Sequence, residues 1–116
     1  MRFPTNIYVF KCREFHKIGV SNSVIRRKCS VGAYIPFEIE LIANYKPKLI
    51  GIDKYDKRHA VRKIEKYIHH HFISKRVKGE WFLLNDDDLK IIPELIQKAL
   101  SEHKKNTTEI PIKVVC

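Results

Sequence analysis

The segment from Asp56 to Ser74 most constrains the fold, because its apolar side chains recur at helical spacing. The recurring positions are Ala60, Val61, Ile64, Tyr67, Ile68, His71 and Phe72. Such a stripe predicts a helix that buries one face in the core. An adjacent polar stripe advances in steps of four, three and four residues: Arg58, Arg62, Glu65 and His69. The segment therefore predicts a core helix with a charged row along one side.

Two runs near the N-terminus, residues 6–12 and 15–20, are rich in β-branched and aromatic residues and predict strands. Arg13 and Glu14 lie between them, which favours a hairpin with a two-residue loop. Side chains alternate between the faces of a strand, so one face is aliphatic and belongs to the core. In a symmetric hairpin the other face carries Tyr8 opposite Gly19 and Phe10 opposite Lys17.

The remaining elements follow from local signals. A cluster of N-cap residues at 21–23 predicts a short helix through about Ser30. Residues 37–45 predict a third strand, apolar and largely buried. Acidic residues at 85–88 are typical of a helix start, and the helix that follows has a core face through about His103. We expect one domain over residues 1–104 and a C-terminal tail over 105–116.

The charge of the chain favours a polyanionic partner. Twenty-three Lys and Arg against thirteen Asp and Glu give a net charge of +10. Such an excess attracts nucleic acid. A membrane surface is the competing partner, but no Lys-rich helix carries an aromatic insertion face, so we expect no membrane contact. A basic protein without a nucleic-acid partner is the other alternative.

The three cysteines are Cys12, Cys29 and Cys116, and no two of them show a Cys-x-x-Cys spacing. The sequence therefore predicts neither a disulfide framework nor a zinc knuckle. No apolar signal-peptide core begins the sequence. We expect an intracellular protein, cytoplasmic or nuclear, that is not secreted.

Tyr8 and Lys17 form the first candidate site, as diagonal neighbours about 7 Å apart or less on the hairpin. A phenol can take a proton from water only if its pKa falls, and a nearby cation favours the phenolate. The alternative is a surface tyrosine and lysine on a half-exposed sheet.

Arg27, Glu65 and His69 are further candidates for phosphate chemistry. The planar guanidinium of Arg27 suits a phosphate, although a solvated basic helix face explains it equally well. Glu65 and His69 lie four residues apart and could converge on one ion or water, or form a local ion-pair network with Arg62. One carboxylate is enough for Mg²⁺, which keeps several waters. The run of histidines at 69–71 does not favour zinc, because successive helical positions diverge by about 100°.

Four features, taken in order, resemble the GIY-YIG endonuclease superfamily. They are Ile7-Tyr8, Lys17-Ile18-Gly19, Arg27 eight residues after the glycine, and Glu65 on a central helix. The later residues are similar to its compact branch, common in viruses and bacteria: Glu65, His69, Phe72, Arg76 and Gly79-Glu80-Trp81-Phe82. The resemblance covers about residues 6–84 and implies an α/β (α+β) fold with a small three-stranded antiparallel sheet flanked by helices.

The resemblance also implies hydrolysis of DNA phosphodiester bonds at one divalent metal, Mg²⁺ or Mn²⁺, held by Glu65. Tyr8 would activate or orient the attacking water, and Gly19 would leave space beside it. Lys17 stands where many relatives have a tyrosine, and Arg27 would grip the scissile phosphate. The implied catalytic set is Tyr8, Lys17, Arg27, Glu65 and His69, and the implied substrate-binding set is Gly19, Arg58, Arg62, Arg76 and Glu80.

The chain departs from the family pattern in three places, of which Lys17 at the start of the second motif is one. The first motif reads Asn6-Ile7-Tyr8, and an asparagine that follows the metal glutamate in other members has no clear counterpart, although Glu80 falls near its place. We interpret the sequence as that of a DNA endonuclease, with RNA left open as a substrate. Specificity would come from loops, a homodimer or a partner protein. The alternatives are a catalytically inactive nucleic-acid-binding module and a protein-interaction domain with an exposed Trp81 or final helix.

Overall fold

A computed structural model describes residues 4–49 and 54–107, and the side chains of residues 4–49 and 59–101. The elements are β1 (Asn6–Cys12), β2 (Phe15–Ser21), α1 (Val24–Gly32), β3 (Glu40–Tyr45), α2 (Lys54–His71), β4 (Arg76–Lys78), β5 (Trp81–Phe82) and α3 (Asp86–Thr107), with a 3₁₀ turn at Ile73–Lys75. Helices flank one antiparallel sheet, which confirms the α+β class. The predicted domain boundary at residue 104 stays a prediction, because α3 continues across it and residues 108–116 lie outside the described residues.

The hairpin of β1 and β2 has the predicted register, with Tyr8 opposite Gly19 and Phe10 opposite Lys17. Its two-residue loop is possible because Arg13 adopts a φ of 58°. A positive φ at a loop position matches the right-handed twist of the two strands. The alternation of side chains along both strands, on which the candidate site depends, is therefore confirmed.

Each face of the hairpin contributes to a separate core. The aliphatic face packs against α2 and α3 and contains Ile7, Val9, Ile18 and Val20. The opposite face packs against residues of α1 and of the segment before β3, and it contains Tyr8, Phe10 and Cys12. Tyr8 is only 1% exposed, so it is not the surface tyrosine that the alternative interpretation required.

Among the described residues the sheet has five strands, in the order β3-β1-β2-β5-β4, so the expectation of three strands is wrong. The two additional strands form a hairpin whose turn contains Gly79, with a φ of 58°. Strands of two and three residues are too short to show alternation in the sequence. β5 pairs with β2 only at His16 and Lys17, which leaves the rest of that edge of β2 for other contacts.

Two further expectations about burial are wrong. The third strand begins at Glu40 and alternates between exposed and half-buried residues, because in the part of the chain that the structure describes β3 lies at the sheet edge with β1 as its one partner. In α2, His71 is exposed and not part of the buried stripe. Ile64, Ile68 and Phe72 follow one another at steps of four and make the core contacts, which turns His71 away from them.

The start of α3 is fixed by a reciprocal cap, as its acidic first turn predicted. The amide of Asp88 donates to the Asn85 side-chain oxygen at 2.8 Å, and the amide of Asn85 donates to Oδ2 of Asp88 at 3.0 Å. Lys75 adds an ion pair to the same carboxylate at 2.6 Å. Within the described ranges, no helix combines the length and the apolar character that crossing a membrane requires.

Candidate active site

The candidate site lies just before β5 begins, where the edge of β2 continues past the pair of Lys17 and Trp81. At this point the amide of Ile18 donates to the carbonyl oxygen of Glu80 at 3.1 Å. The carbonyl oxygen of Ile18 lies 2.8 Å from Nε2 of His69. Because a carbonyl can only accept, this nitrogen carries the imidazole proton. Ile18 of β2 therefore forms hydrogen bonds both to the turn before β5 and to helix α2.

Two carboxyl groups meet at this edge. Glu80 lies close enough to Glu65 on α2 for its charge and hydrogen bonding to raise the pKa of that carboxyl, and Lys17 Nζ lies 3.0 Å from Oε1 of Glu80. The side chain of Glu65 is 8% exposed, and within the described part of the chain its Oε2 atom has no hydrogen-bond partner. A buried polar atom without a partner is costly and rare in folded proteins. The arrangement is therefore one that packing alone does not favour.

The Glu65 carboxyl binds its proton more tightly than an exposed glutamate does. Burial, and after it the charge of Glu80, raises the pKa of Glu65 to about 7. Arg62 and Lys17 act in the opposite direction, because positive charge favours the carboxylate. Two carboxyl groups can share a hydrogen bond only when one of them is protonated. A positive charge that replaces this proton would relieve the repulsion between them.

Tyr8 reaches the carboxyl pair from β1 across Gly19. A Cβ atom at Gly19 would lie 2.5 Å from Cζ of Tyr8 and 3.1 Å from Oε1 of Glu80. Real Cβ atoms essentially never approach a ring carbon so closely, so only glycine leaves room for the phenol here. This matches the space beside Tyr8 that the sequence predicted for Gly19.

The phenol of Tyr8 is neutral in this environment. Burial is the main reason that its pKa rises to about 12, the charge of Glu80 adds to it, and Arg27 opposes it. The expected lowering by Lys17 is not found, because the Lys17 ammonium pairs with Glu80 instead. Arg27 itself is exposed on α1, close enough to Tyr8 for its charge to act on the phenol.

Not every predicted residue belongs to this edge. Arg62 is exposed on α2 one turn before Glu65, and the side chain of Arg58 lies outside the described residues. Arg76, expected to bind substrate, instead donates from Nε to the carbonyl oxygen of Gly79 at 2.7 Å and closes the turn between β4 and β5. The residues that the structure brings together are Tyr8, Lys17, Gly19, Glu65, His69 and Glu80, with Arg27 and Arg62 nearby.

Comparison with known proteins adds one finding. The profile of the T5orf172 domain matches residues 5–97, most of the chain and every residue of the site. The chain belongs to the T5orf172 domain family. This family is associated with nuclease-type domains of the GIY-YIG-like or HNH-like kind. Searches among curated proteins and among solved structures found no match.

The site of this T5orf172 domain suits some metals better than others. In the described ranges, no three His, Cys, Asp or Glu side chains are close enough to hold one ion together. Zinc usually takes three or four protein ligands. Mg²⁺ usually takes one or two carboxylates and keeps its waters. The unpartnered oxygen of Glu65, beside Glu80, fits this second kind of site.

The partnership of Glu80 with Glu65 is the feature of the T5orf172 domain that the sequence analysis missed. From the sequence, Glu80 was expected among the substrate-binding residues. The signal that could have found it is the pair Gly79-Glu80 between two short apolar-containing runs, which is typical of a hairpin loop. In such a hairpin the backbone of Glu80 faces β2, and its carbonyl oxygen accepts a hydrogen bond from the Ile18 amide.

Proposed function

We propose that this T5orf172 domain is a metal-dependent endonuclease of the GIY-YIG type that hydrolyses DNA phosphodiester bonds. The observation that carries the proposal is the buried carboxyl of Glu65, with an unpartnered oxygen, next to the half-exposed Glu80 and beside Lys17 and Tyr8. Clusters of ionisable groups with perturbed pKa values are typical of functional sites. The nuclease association of the family supports the same function.

Glu65 would bind the metal, Mg²⁺ or Mn²⁺, and Glu80 is the best candidate for a second ligand. The two carboxyl groups lie close enough for Glu80 to raise the pKa of Glu65, so that one ion could contact both. Glu80 suits this role better than the substrate contact first expected, because a carboxylate repels a phosphate. When bound, the ion would neutralise charge on the phosphate and assist departure of the leaving oxygen.

The remaining side chains would bind and orient the reactants. Tyr8 keeps its proton at neutral pH, so its hydroxyl donates a hydrogen bond and orients the attacking water rather than deprotonating it. The Lys17 ammonium and the exposed guanidinium of Arg27 would hold the scissile phosphate. His69 fixes the edge of β2 through the Ile18 carbonyl, which makes it a positioning residue.

DNA is the proposed partner, because the net charge of +10 supplies sequence-independent affinity through phosphate neutralisation. RNA is a second substrate to test, and a homodimer or partner protein is the proposed source of any sequence specificity. The protein-interaction alternative that relies on Trp81 loses support, because Trp81 is half-buried and packs against the cluster that contains Tyr8. The alternatives that remain are an inactive nucleic-acid-binding module and a protein-interaction domain that uses the final helix.

The test is nicking of supercoiled plasmid by the full chain with Mg²⁺, Mn²⁺ or EDTA. Glu65→Gln is the test variant, and Glu94→Gln, an exposed glutamate on α3, is the matched control. We expect nicking that needs metal, is lost in Glu65→Gln and is kept in Glu94→Gln. Binding in a gel-shift assay without nicking in either metal would favour the inactive module. Equal nicking by both variants would show that Glu65 is not at the active centre.

A further inference from the structure

A small apolar cavity lies on the face of the sheet that carries Tyr8. Its volume is about 210 Å³, and its lining is Cys12, Phe15, Ile35, Val77, Lys78 and Trp81. We call it the base pocket. Ligand pockets for drug-sized molecules measure about 300–1,000 Å³, so this one has room for a single planar ring system.

The base pocket lies in line with the candidate active site. Cys12 is four residues beyond Tyr8 on β1, and alternation puts both side chains on one face. At about 3.3 Å per residue, the base pocket is about 13 Å from Tyr8. Lys17, opposite Phe10, lies between them, and its ammonium is 5.7 Å from the ring centroid of Trp81, which lines the base pocket. A strand held by its phosphate at Lys17 would therefore pass the base pocket within a few nucleotides.

The chemistry of the lining suits a nucleobase. Trp81 offers an aromatic ring, and Val77, 55% exposed on β4, adds an aliphatic wall. Bases stack on aromatic side chains whatever their sequence, because every base has a π-face. The only charged residue of the lining is Lys78, a cation that complements a phosphate. The apolar interior and the cationic rim therefore complement a base attached to its backbone.

We propose that the base pocket receives one unstacked nucleobase of the substrate, near the cleaved bond. This inference rests on the proposed function and narrows its substrate class. A base inside a duplex cannot reach a cavity in the protein, so it must first leave the stack, and that step is least costly where the base is already unpaired. The preferred substrate is then DNA with a bubble, flap or mismatch rather than a perfect duplex.

Trp81 is the single tryptophan of the chain, so its fluorescence reports directly on the base pocket. The probes are a perfect duplex and the same duplex with a two-nucleotide bubble that contains 2-aminopurine, titrated in EDTA so that nothing is cleaved. We expect about tenfold tighter binding of the bubble, together with quenching of Trp81, because stacking is worth about one order of magnitude or more in affinity. Equal affinity for the two probes, or unchanged Trp81 emission, would overturn the inference.

Two variants test the base pocket, and a third is the matched control. Val77→Glu places a negative charge at an exposed position of the lining, and Ile35→Trp fills the cavity. Ile25→Trp adds the same ring at a position that is 68% exposed and outside the lining. Circular dichroism checks that each folds. We expect the first two to lose the preference for the bubble and the control to keep it. A preference retained by Val77→Glu would overturn the inference and favour a protein partner for the cavity.

The two proposals can fail separately. Wild-type protein that nicks plasmid with metal but binds both probes equally would keep the nuclease and refute the base pocket. Protein that never nicks but binds the bubble more tightly would refute the nuclease and keep the base pocket. It would then be a binding module for unpaired bases. Glu65→Gln should retain the preference for the bubble in EDTA, because Glu65 does not line the base pocket.

Discussion

Replacing Glu65 by glutamine is expected to stabilise the fold at alkaline pH while it removes activity. Burial, and after it the charge of Glu80, raises the pKa of the Glu65 carboxyl from its ordinary value of 4.5 to about 7. The folded protein therefore binds this proton more tightly than the unfolded chain does. The resulting stability is fully present below about pH 4.5 and is lost as the pH rises through about 7.

The size of the effect follows from the two pKa values. A tenfold difference in proton affinity is worth about 1.4 kcal/mol, so the rise in pKa corresponds to about 3–4 kcal/mol at most. Glutamine has nearly the shape of the protonated acid, is neutral at every pH and can donate to Glu80. Above about pH 8 the variant should therefore be more stable than the wild type by about 1–3 kcal/mol. Near pH 4.5 the difference should almost vanish.

Urea unfolding in EDTA measures this difference at about pH 5 and about pH 9. Glu94→Gln is the control, because Glu94 is exposed and its replacement should change the free energy of unfolding by less than about 0.5 kcal/mol. A Glu65→Gln protein that is less stable than wild type at the higher pH would refute the reasoning. So would a difference that does not depend on pH.

Three further variants probe the same edge of the sheet. Gly19→Ala should lower the free energy of unfolding by about 1–3 kcal/mol in urea, because the added Cβ meets the Tyr8 ring. Gly32→Ala is its control and should change stability by less than about 1 kcal/mol, since the nearest side-chain atom would lie 3.9 Å away. Tyr8→Phe should keep the fold and DNA affinity but slow plasmid nicking by about 100-fold or more. His69→Ala should cost about 1 kcal/mol in urea unfolding, because the Ile18 carbonyl loses its donor.

For each of these predictions, one result would contradict it. Equal stability of the two glycine variants would mean that the phenol does not occupy the space at Gly19. Wild-type nicking by Tyr8→Phe would remove the hydroxyl from the mechanism. A His69→Ala protein as stable as the wild type would show that the bond to Ile18 contributes nothing to the edge of β2.

The sequence predicted those structural features that follow from a regular local spacing of apolar residues. Alternation fixed the partners of Tyr8 and Phe10 in the hairpin, because a shift by one residue would have turned Ile7 and Val9 to the opposite face. The stripe of α2 likewise predicted its buried residues up to Ile68. These patterns are set by neighbours three, four or two positions apart, which a single sequence displays directly.

What the sequence did not predict depends on distant contacts. β4 and β5 exist because a hairpin of only seven residues, with Gly79 in its turn, docks on β2, and no periodicity shows in runs so short. The same docking brings Glu80 to Glu65, fifteen positions earlier in the chain. Tyr8 was expected to have a lowered pKa because the position of Lys17 was predicted, but its pairing with Glu80 was not.

The central claim is that the pair of Glu65 and Glu80 binds one divalent ion and that DNA cleavage depends on it. The most direct test follows bound Mn²⁺ by electron paramagnetic resonance and the plasmid-nicking rate in the same titration. We predict that the rate rises in proportion to occupancy of one site, that Glu65→Gln loses both signals, and that Glu94→Gln keeps both. Occupancy that persists in Glu65→Gln, or nicking that proceeds without bound metal, would contradict the account.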